Sequence, residues 1–258
     1  MKMKKNKLFI MAGIVMMISS LAFIVQRKPA LHTIGDSTVR NANKETWGWG
    51  TPIADLFDTT RIHVENNAMA GRSTRTYLSE GRWDKVLETL KPGDFVTMQF
   101  GHNDGSAPDT TKAGRRGVLK GTGEETKELT WPDGKLETVH TYGWYIRKFV
   151  RETKAKGAVP IVVSMIPRNE FRNGKVLRAD KDFGKWAADV AREENAFFVD
   201  LNKITGDKYD AMGAEKVKAY FPDDHTHTNL EGAKLNAQSV IEGIEALKDC
   251  TLKNYIKK

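Results

Sequence analysis

After Pro29 the chain alternates short apolar runs with longer amphipathic ones, and this alternation restricts the fold more than any other feature. Residues 30–35 (ALHTIG), 61–66 (RIHVEN), 94–101 (DFVTMQFG), 159–166 (VPIVVSMI) and 196–201 (AFFVDL) have the length and composition of strands. The run at 159–166 is apolar almost throughout, as expected of a strand covered on both faces. Helical patterns lie between them at 83–90, 142–157 and 180–195, with a last one at 229–247 that Asn229 can cap. Gly157 stands where a left-handed residue ends a helix. Residues 51–57 read as a further helix, with Thr51 as cap and Pro52 in its first position. Strands separated by helices predict a mostly parallel sheet of about five strands between two helical layers, a three-layer α/β/α sandwich. Ligands in such sheets bind beyond the carboxyl ends of the strands.

Residues 105–140 break the alternation. They are rich in glycine, threonine and charge, lack periodicity, and follow a strand end directly. A connection of this length is a functional loop or is disordered.

The formal net charge of +8 suggests an acidic partner until its location is considered. Lys2, Lys4, Lys5, Lys7, Arg27 and Lys28 supply six of those charges, and no acid precedes Asp36. The rest of the chain is close to neutral, so charge gives no reading as a nucleic-acid binder. The basic start, MKMKKNK, leads into an uncharged run of 18 residues at 8–25, the form of a secretory signal. The same length is near the lower limit for a membrane-spanning helix, so residues 1–28 are expected to be a cleaved signal or an uncleaved anchor. The protein is then exported, periplasmic or extracellular, and 29–258 form a single catalytic domain. The one cysteine, Cys250, cannot make an internal disulfide, and it reads as an incidental residue of the last helix. A monomer is expected.

Three strand candidates finish in polar clusters: Gly35-Asp36-Ser37-Thr38, then Asn66-Asn67-Ala68-Met69-Ala70-Gly71-Arg72-Ser73, then Gly101-His102-Asn103-Asp104. Each alone can be a plain turn. Together they bring a serine, a glycine and an asparagine to three carboxyl edges of one sheet. A fourth cluster, FPDDHTHTNLEGA at 221–233, adds aspartates and histidines from the far end of the chain. The chemistry that suits this set is acyl transfer. A serine hydroxyl needs a base to take its proton, and imidazole serves near neutral pH. A carboxylate on the other ring nitrogen fixes the tautomer. The oxyanion needs preorganised donors, which the Ser37 N–H, the backbone at Gly71 and the Asn103 amide can supply.

The four clusters, in this order, resemble the signature blocks of the SGNH (GDSL-type) hydrolases. The resemblance implies Ser37 as nucleophile, Gly71 and Asn103 as oxyanion-hole residues beside the Ser37 N–H, and Asp224 and His227 as the remaining catalytic pair. It also implies one flavodoxin-like α/β/α domain and no cofactor. The spacing agrees about the acid. Asp224 stands three residues before His227, which puts both side chains on one side of a turn, whereas Asp223 stands four before it. His225 and His227, with His102 or an aspartate as third ligand, form the competing metal reading. His225 is otherwise expected to bond a neighbouring loop.

Within that family, GDSTV, GWG at 48–50, NNAMAGRSTRTYLSEGRW at 66–83, QFGHND at 99–104 and YFPDDHTHTNLEGA at 220–233 resemble the rhamnogalacturonan acetylesterases. This implies deacetylation of an acidic plant polysaccharide. Arg72 and Arg75 are candidate partners for galacturonate carboxylates, or else solvated helix residues. Trp47 and Trp49 are candidates for a sugar-stacking wall, or else core. Asp36 and His102 complete the candidate substrate contacts. The 105–140 segment, with Arg115, Arg116 and Trp131, can shape a binding groove. An esterase or lipase for other acyl chains, including one for acetyl-xylan, and a non-catalytic carbohydrate-binding protein on the same scaffold remain as rival readings.

Overall fold

The structure, a computed structural model, describes residues 27–41 and 45–258. The expected export segment therefore lies almost entirely outside the described residues. Among the described residues no helix is long and apolar enough to cross a membrane.

The central sheet is built from β1 (Ala30–Gly35), β2 (His63–Asn66), β3 (Phe95–Gln99), β6 (Val159–Val163) and β9 (Phe197–Val199), in the order β2-β1-β3-β6-β9 with every pairing parallel. Two short antiparallel hairpins, β4 (Thr126–Thr130) with β5 (Leu136–His140) and β7 (Phe171–Arg172) with β8 (Lys175–Val176), stand apart from it. The period of two along each central strand sorts side chains to opposite faces. Leu31, Phe95, Ile161 and Val163 enter one core, while Ile34, Val96, Met98 and Val162 enter the other. Every residue of β1 and β3 is buried, which explains their lack of apolar-polar alternation.

One face is covered by α1 (Thr74–Ser79), α2 (Arg82–Thr89), α3 (Tyr142–Ala155) and α4 (Phe183–Glu193). The other carries α5 (Leu201–Met212), α7 (Leu230–Ala246) and two 3-10 turns, Pro52–Leu56 and Thr251–Tyr255, while the short α6 (Ala214–Lys218) packs in a satellite cluster. The helices start where side chains satisfy their free N–H groups. Ser73 and Thr76 form a capping box at α1, the Thr141 side chain accepts from Trp144 N–H, and that of Asn229 accepts from Gly232 N–H.

Beyond α1, α5, α6 and the β7–β8 hairpin, which the sequence reading did not contain, the chain departs from that reading at three of its own assignments. The 105–140 segment is not a plain loop, because it contains the β4–β5 hairpin, turned at Gly134 with φ +84°. Its strands are mostly exposed, so no apolar period marks them. Residues 52–56 form a 3-10 turn instead of an α-helix, and the Thr51 side chain makes no capping bond. Cys250 lies beyond α7, at the start of the final 3-10 turn, and is fully buried in the core.

Candidate active site

The turn after β1 is folded by its own side chains. Asp36 Oδ1 accepts from Thr38 N–H (2.9 Å) and Thr38 Oγ1 (2.8 Å), and Arg40 N–H returns to Asp36 O (3.0 Å). Thr38 Oγ1 in turn accepts from Gln99 Nε2 (2.6 Å), and Gln99 Oε1 accepts from the Trp49 indole (2.8 Å). This buried relay from Trp49 to Asp36 fixes the turn that presents Ser37. Gly48 and Gly50 are needed beside it, because a Cβ on either would lie within 2.2 and 2.7 Å of Val39 atoms.

At the far end of the chain, residues 223–228 are held against the same turn. Trp47 N–H donates to Thr228 O (2.6 Å), and Thr228 Oγ1 donates to Trp47 O (3.1 Å). The backbone curls around Asp224, whose Oδ1 accepts from Thr226 N–H (2.6 Å) and His227 N–H (2.7 Å). Asp224 Oδ2 lies 2.7 Å from His227 Nδ1, and His227 Nε2 lies 2.8 Å from Ser37 Oγ. An ionised Asp224 places the ring proton on Nδ1 and leaves Nε2 free to accept from the serine. Burial works against the charge on Asp224, but the bonds from the His227 backbone and ring and from Thr226 outweigh it and hold the carboxyl down at about 2.

Two further strand ends face Ser37. Asn66 Oδ1 accepts from Ala68 N–H, and Met69 N–H donates to Gly35 O (3.0 Å), which draws the 66–73 segment across the sheet edge. Gly71 there has φ +77°, a conformation that disfavours any side chain. After β3, the Asn103 side chain donates to Arg72 O (3.1 Å) through Nδ2. Asp104 ties the two segments together, since its Oδ1 accepts from Thr74 N–H (2.9 Å) and Thr74 Oγ1 (2.6 Å) while Oδ2 accepts from Gly101 N–H (3.1 Å). Burial pushes the Asp104 carboxyl up to about 7, with the Thr74 bonds opposing. Among the described residues the backbone N–H groups of Ser37 and Gly71 have no hydrogen-bond partner. They and the second proton of Asn103 Nδ2 are donors open to a ligand.

Ser37, Gly71, Asn103, Asp224 and His227 are thus brought around one cleft of ≈320 Å³, which Asn41, Thr46, Ala70, Arg116 and Asp223 also line. Among the described residues no large apolar side chain lines it. Thr46 carried no signal in the sequence. Asp104 stood in a polar cluster, but only its contacts disclose its bracing role.

The candidate substrate contacts fare differently. Trp49 is fully buried and bonded to Gln99, so it belongs to the core and cannot stack on a sugar. Arg75 is also buried: it forms a two-pronged pair with Glu137 (2.8 and 2.6 Å) and donates to the carbonyls of Gly114 and Gly117, both at 3.0 Å. Arg72 is held by both oxygens of Glu80 through its Nε, at 3.1 and 2.9 Å. Asp36 is fully buried beneath Ser37, and its Oδ2 has no partner. Burial pushes its carboxyl up to about 6, against the Thr38 hydrogen bonds. The His102 ring lines a neighbouring ≈310 Å³ pocket with Arg168 and Glu170, not the Ser37 cleft. Burial first, and then the nearby Arg168, lower its pKa to about 3. His225 turns away from His227: its Nε2 meets Arg168 Nη1 (3.0 Å) and its carbonyl accepts from Asn169 N–H (2.7 Å). Among the described residues no three His, Cys, Asp or Glu side chains are grouped as metal ligands would be.

A parallel α/β/α sandwich with a hydrogen-bonded Ser, His and Asp at its carboxyl edge is the architecture of an acyl hydrolase. The chain belongs to the GDSL-like lipase/acylhydrolase family, which it matches over residues 33–235, and it is a carboxylic ester hydrolase. It is 33% identical over 214 residues to the rhamnogalacturonan acetylesterase of Emericella nidulans, covering 83% of this chain and 84% of that one. It is 29% identical over 231 residues to the rhamnogalacturonan acetylesterase RhgT of Bacillus subtilis, covering 83% and 88%. The fold also matches the crystal structure of Bacillus subtilis YxiM, with a TM-score of 0.69 and 23% identity over 85% of this chain. The chain spans 56% of that longer structure.

Proposed function

We propose that the protein is a serine acetylesterase acting on acetylated, acidic plant polysaccharide, of which rhamnogalacturonan is the first candidate. The observation that carries this reading is the short chain from Ser37 Oγ through His227 to Asp224, opening on a polar cleft. The two rhamnogalacturonan acetylesterases that the chain is similar to support the choice of polymer.

In this mechanism His227 Nε2 takes the Ser37 Oγ proton as the oxygen attacks the acetyl carbonyl. Negative charge develops on the carbonyl oxygen and meets the N–H groups of Ser37 and Gly71 and the Asn103 amide. Asp224 stabilises the imidazolium through Nδ1. The tetrahedral species collapses as His227 returns the proton to the departing sugar oxygen, leaving Ser37 acetylated. Water, deprotonated by His227, then attacks the acetyl-serine, and the second tetrahedral species releases acetate as His227 returns the proton to Ser37 Oγ. Every donor is in place before substrate arrives, so little reorganisation accompanies the reaction.

The residues lining the cleft are mostly polar, with Ala70 and Gly71 between them, which favours acetyl over long acyl groups. A chain too large for its pocket forces overpacking, typically costing about 1 to 3 kcal/mol. Export accords with such a substrate, and the basic-then-apolar segment before residue 29 supports it. The test is acetate release from acetylated rhamnogalacturonan and acetyl-xylan, beside aryl esters of increasing acyl length. Acetate should be preferred among the aryl esters, and the pectic polymer over xylan. Preference for octanoate would instead identify a lipase.

A further inference from the structure

Neither arginine expected to meet an anionic sugar lines the Ser37 cleft: Arg72 pairs with Glu80, which also holds Arg82, and Arg75 is buried on Glu137. The cleft nevertheless contains a guanidinium. Arg116 lines it beside Gly71 and Asn103, is exposed, and forms no ion pair among the described residues. Its one side-chain hydrogen bond among the described residues, from Nη1 to Asn103 Oδ1 at 3.3 Å, goes to a neutral amide, which does not compensate its charge. The group is also close to the reacting centre. A Cβ built on Gly71 would lie 4.0 Å from both Arg116 Cζ and Nη2.

The segment carrying Arg116 is built to hold it there. Gly117 N–H bonds Gly114 O (3.1 Å), and Arg116 N–H bonds Ala113 O (3.3 Å). Arg75 reaches under this turn to grip the carbonyls of Gly114 and Gly117, and Glu137 of β5 locks Arg75 in turn. Gly117 packs so closely that a Cβ would lie 2.1 Å from Ser106 O. Arg75 therefore supports the platform from which Arg116 projects. Asp223 and Asp224 line the same cleft, with Asp224 bonded to His227, while Arg116 lies beside Gly71 and Asn103.

We propose that Arg116 is a specificity-determining residue, binding the carboxylate of a uronic acid at or beside the acetylated sugar. This deepens the function proposed above and rests on it for the identity of the acetylated polymer. A planar guanidinium with free N–H groups matches a carboxylate with two parallel hydrogen bonds. Asp223 repels the same carboxylate, so the pair sets which way an anionic chain lies across Ser37. A neutral sugar gains nothing from this arrangement.

The experiment varies the substrate charge and Arg116 together. The substrates are an acetylated galacturonate-containing oligosaccharide, its carboxyl methyl ester, and an aryl acetate. The wild type should prefer the free acid over the methyl ester by at least tenfold in kcat/KM, chiefly through KM. Arg116→Ala should erase that preference, Arg116→Lys should retain part of it, and Arg115→Ala, whose guanidinium lies over the Trp131 ring, should leave it intact. Some loss on aryl acetate is expected as well, because Asn103 loses a partner, so the ratio between substrates is the readout.

A second arm needs no turnover of a sugar. Unacetylated oligogalacturonate should inhibit aryl acetate hydrolysis competitively, and Arg116→Ala should raise its inhibition constant at least tenfold. If Arg116→Ala slows free acid and methyl ester by one common factor, or if oligogalacturonate inhibits both proteins equally, the carboxylate role is wrong. If inhibition depends on Arg116 but no acetylated pectic fragment is turned over, the carboxylate site stands and the polymer assignment falls.

Discussion

Ser37 Oγ and His227 Nε2 lie 2.8 Å apart although 190 residues separate them. The contact is set by two turns that are each rigid by themselves and are joined through Trp47 and Thr228. In the proposed mechanism the pair acts as one unit with Asp224. Ser37→Ala and His227→Ala should each lower kcat by on the order of 10⁴ or more, and the double variant should be little worse than either. Steady-state kinetics on an aryl acetate measures this. Additive losses would show that the two side chains act independently. His225→Ala, whose ring faces Arg168, should keep most activity.

The oxyanion site makes a prediction that separates chemistry from folding. Asn103→Ala should reduce kcat by roughly 10²- to 10³-fold with little change in KM, as for the loss of one preorganised donor. Gly71→Ala meets no clash, its nearest neighbour being Arg116 in ordinary contact at 4.0 Å, so any damage comes from φ +77°. A left-handed alanine costs about 1 to 2 kcal/mol, and relief of that strain would turn the Gly71 N–H away from Ser37. Wild-type kcat in Gly71→Ala would remove Gly71 from the oxyanion site.

Arg75 predicts a local stability effect. Arg75→Ala leaves Glu137 with the Trp131 indole but without its guanidinium, and strips Gly117 O of its donor, while Gly114 O keeps Asp109 N–H and Gly117 N–H. Removing one partner of a buried pair costs about 3 to 5 kcal/mol, and partial hydration of Glu137 favours the lower end. The loss should be concentrated in the 105–140 segment, read as faster proteolysis and faster amide exchange there, with the central sheet still protected. Arg75→Lys should rescue little, because one ammonium cannot replace the fork.

Asp36 predicts how stability depends on pH. Burial raises its carboxyl in the folded protein to about 6, from a model-compound value of 3.8. The folded state therefore holds a proton that the unfolded state has lost between these values. That stabilisation is fully present below about pH 4 and is lost as pH rises through 6. The difference corresponds to roughly 3 kcal/mol. Asp36→Asn keeps an acceptor for Thr38 and cannot titrate, so its urea-unfolding free energy should not carry this decline. Parallel pH profiles for the two proteins would falsify the assignment.

The sequence by itself determined the layers and the chemical parts. Buried parallel strands must be apolar on both faces, so VPIVVSMI and DFVTMQF disclosed the sheet, and the polar clusters following the strands disclosed where its carboxyl edge lies. Asn229 and Gly157 marked helix ends because capping is local chemistry. Tertiary structure decided which polar side chains are free. Arg72, Arg75 and Arg116 look alike along the chain, yet Glu80 engages the first, together with Arg82, and Glu137 the second, while Arg116 makes no ion pair among the described residues and bonds an amide. Trp49 could have faced a sugar or the core, and only its bond to Gln99, 50 residues away, settles the matter. The β4–β5 hairpin escaped notice because two exposed strands that pair mainly with each other need no apolar period. Local pattern records burial, whereas the partner of a charge is set by what the fold brings beside it.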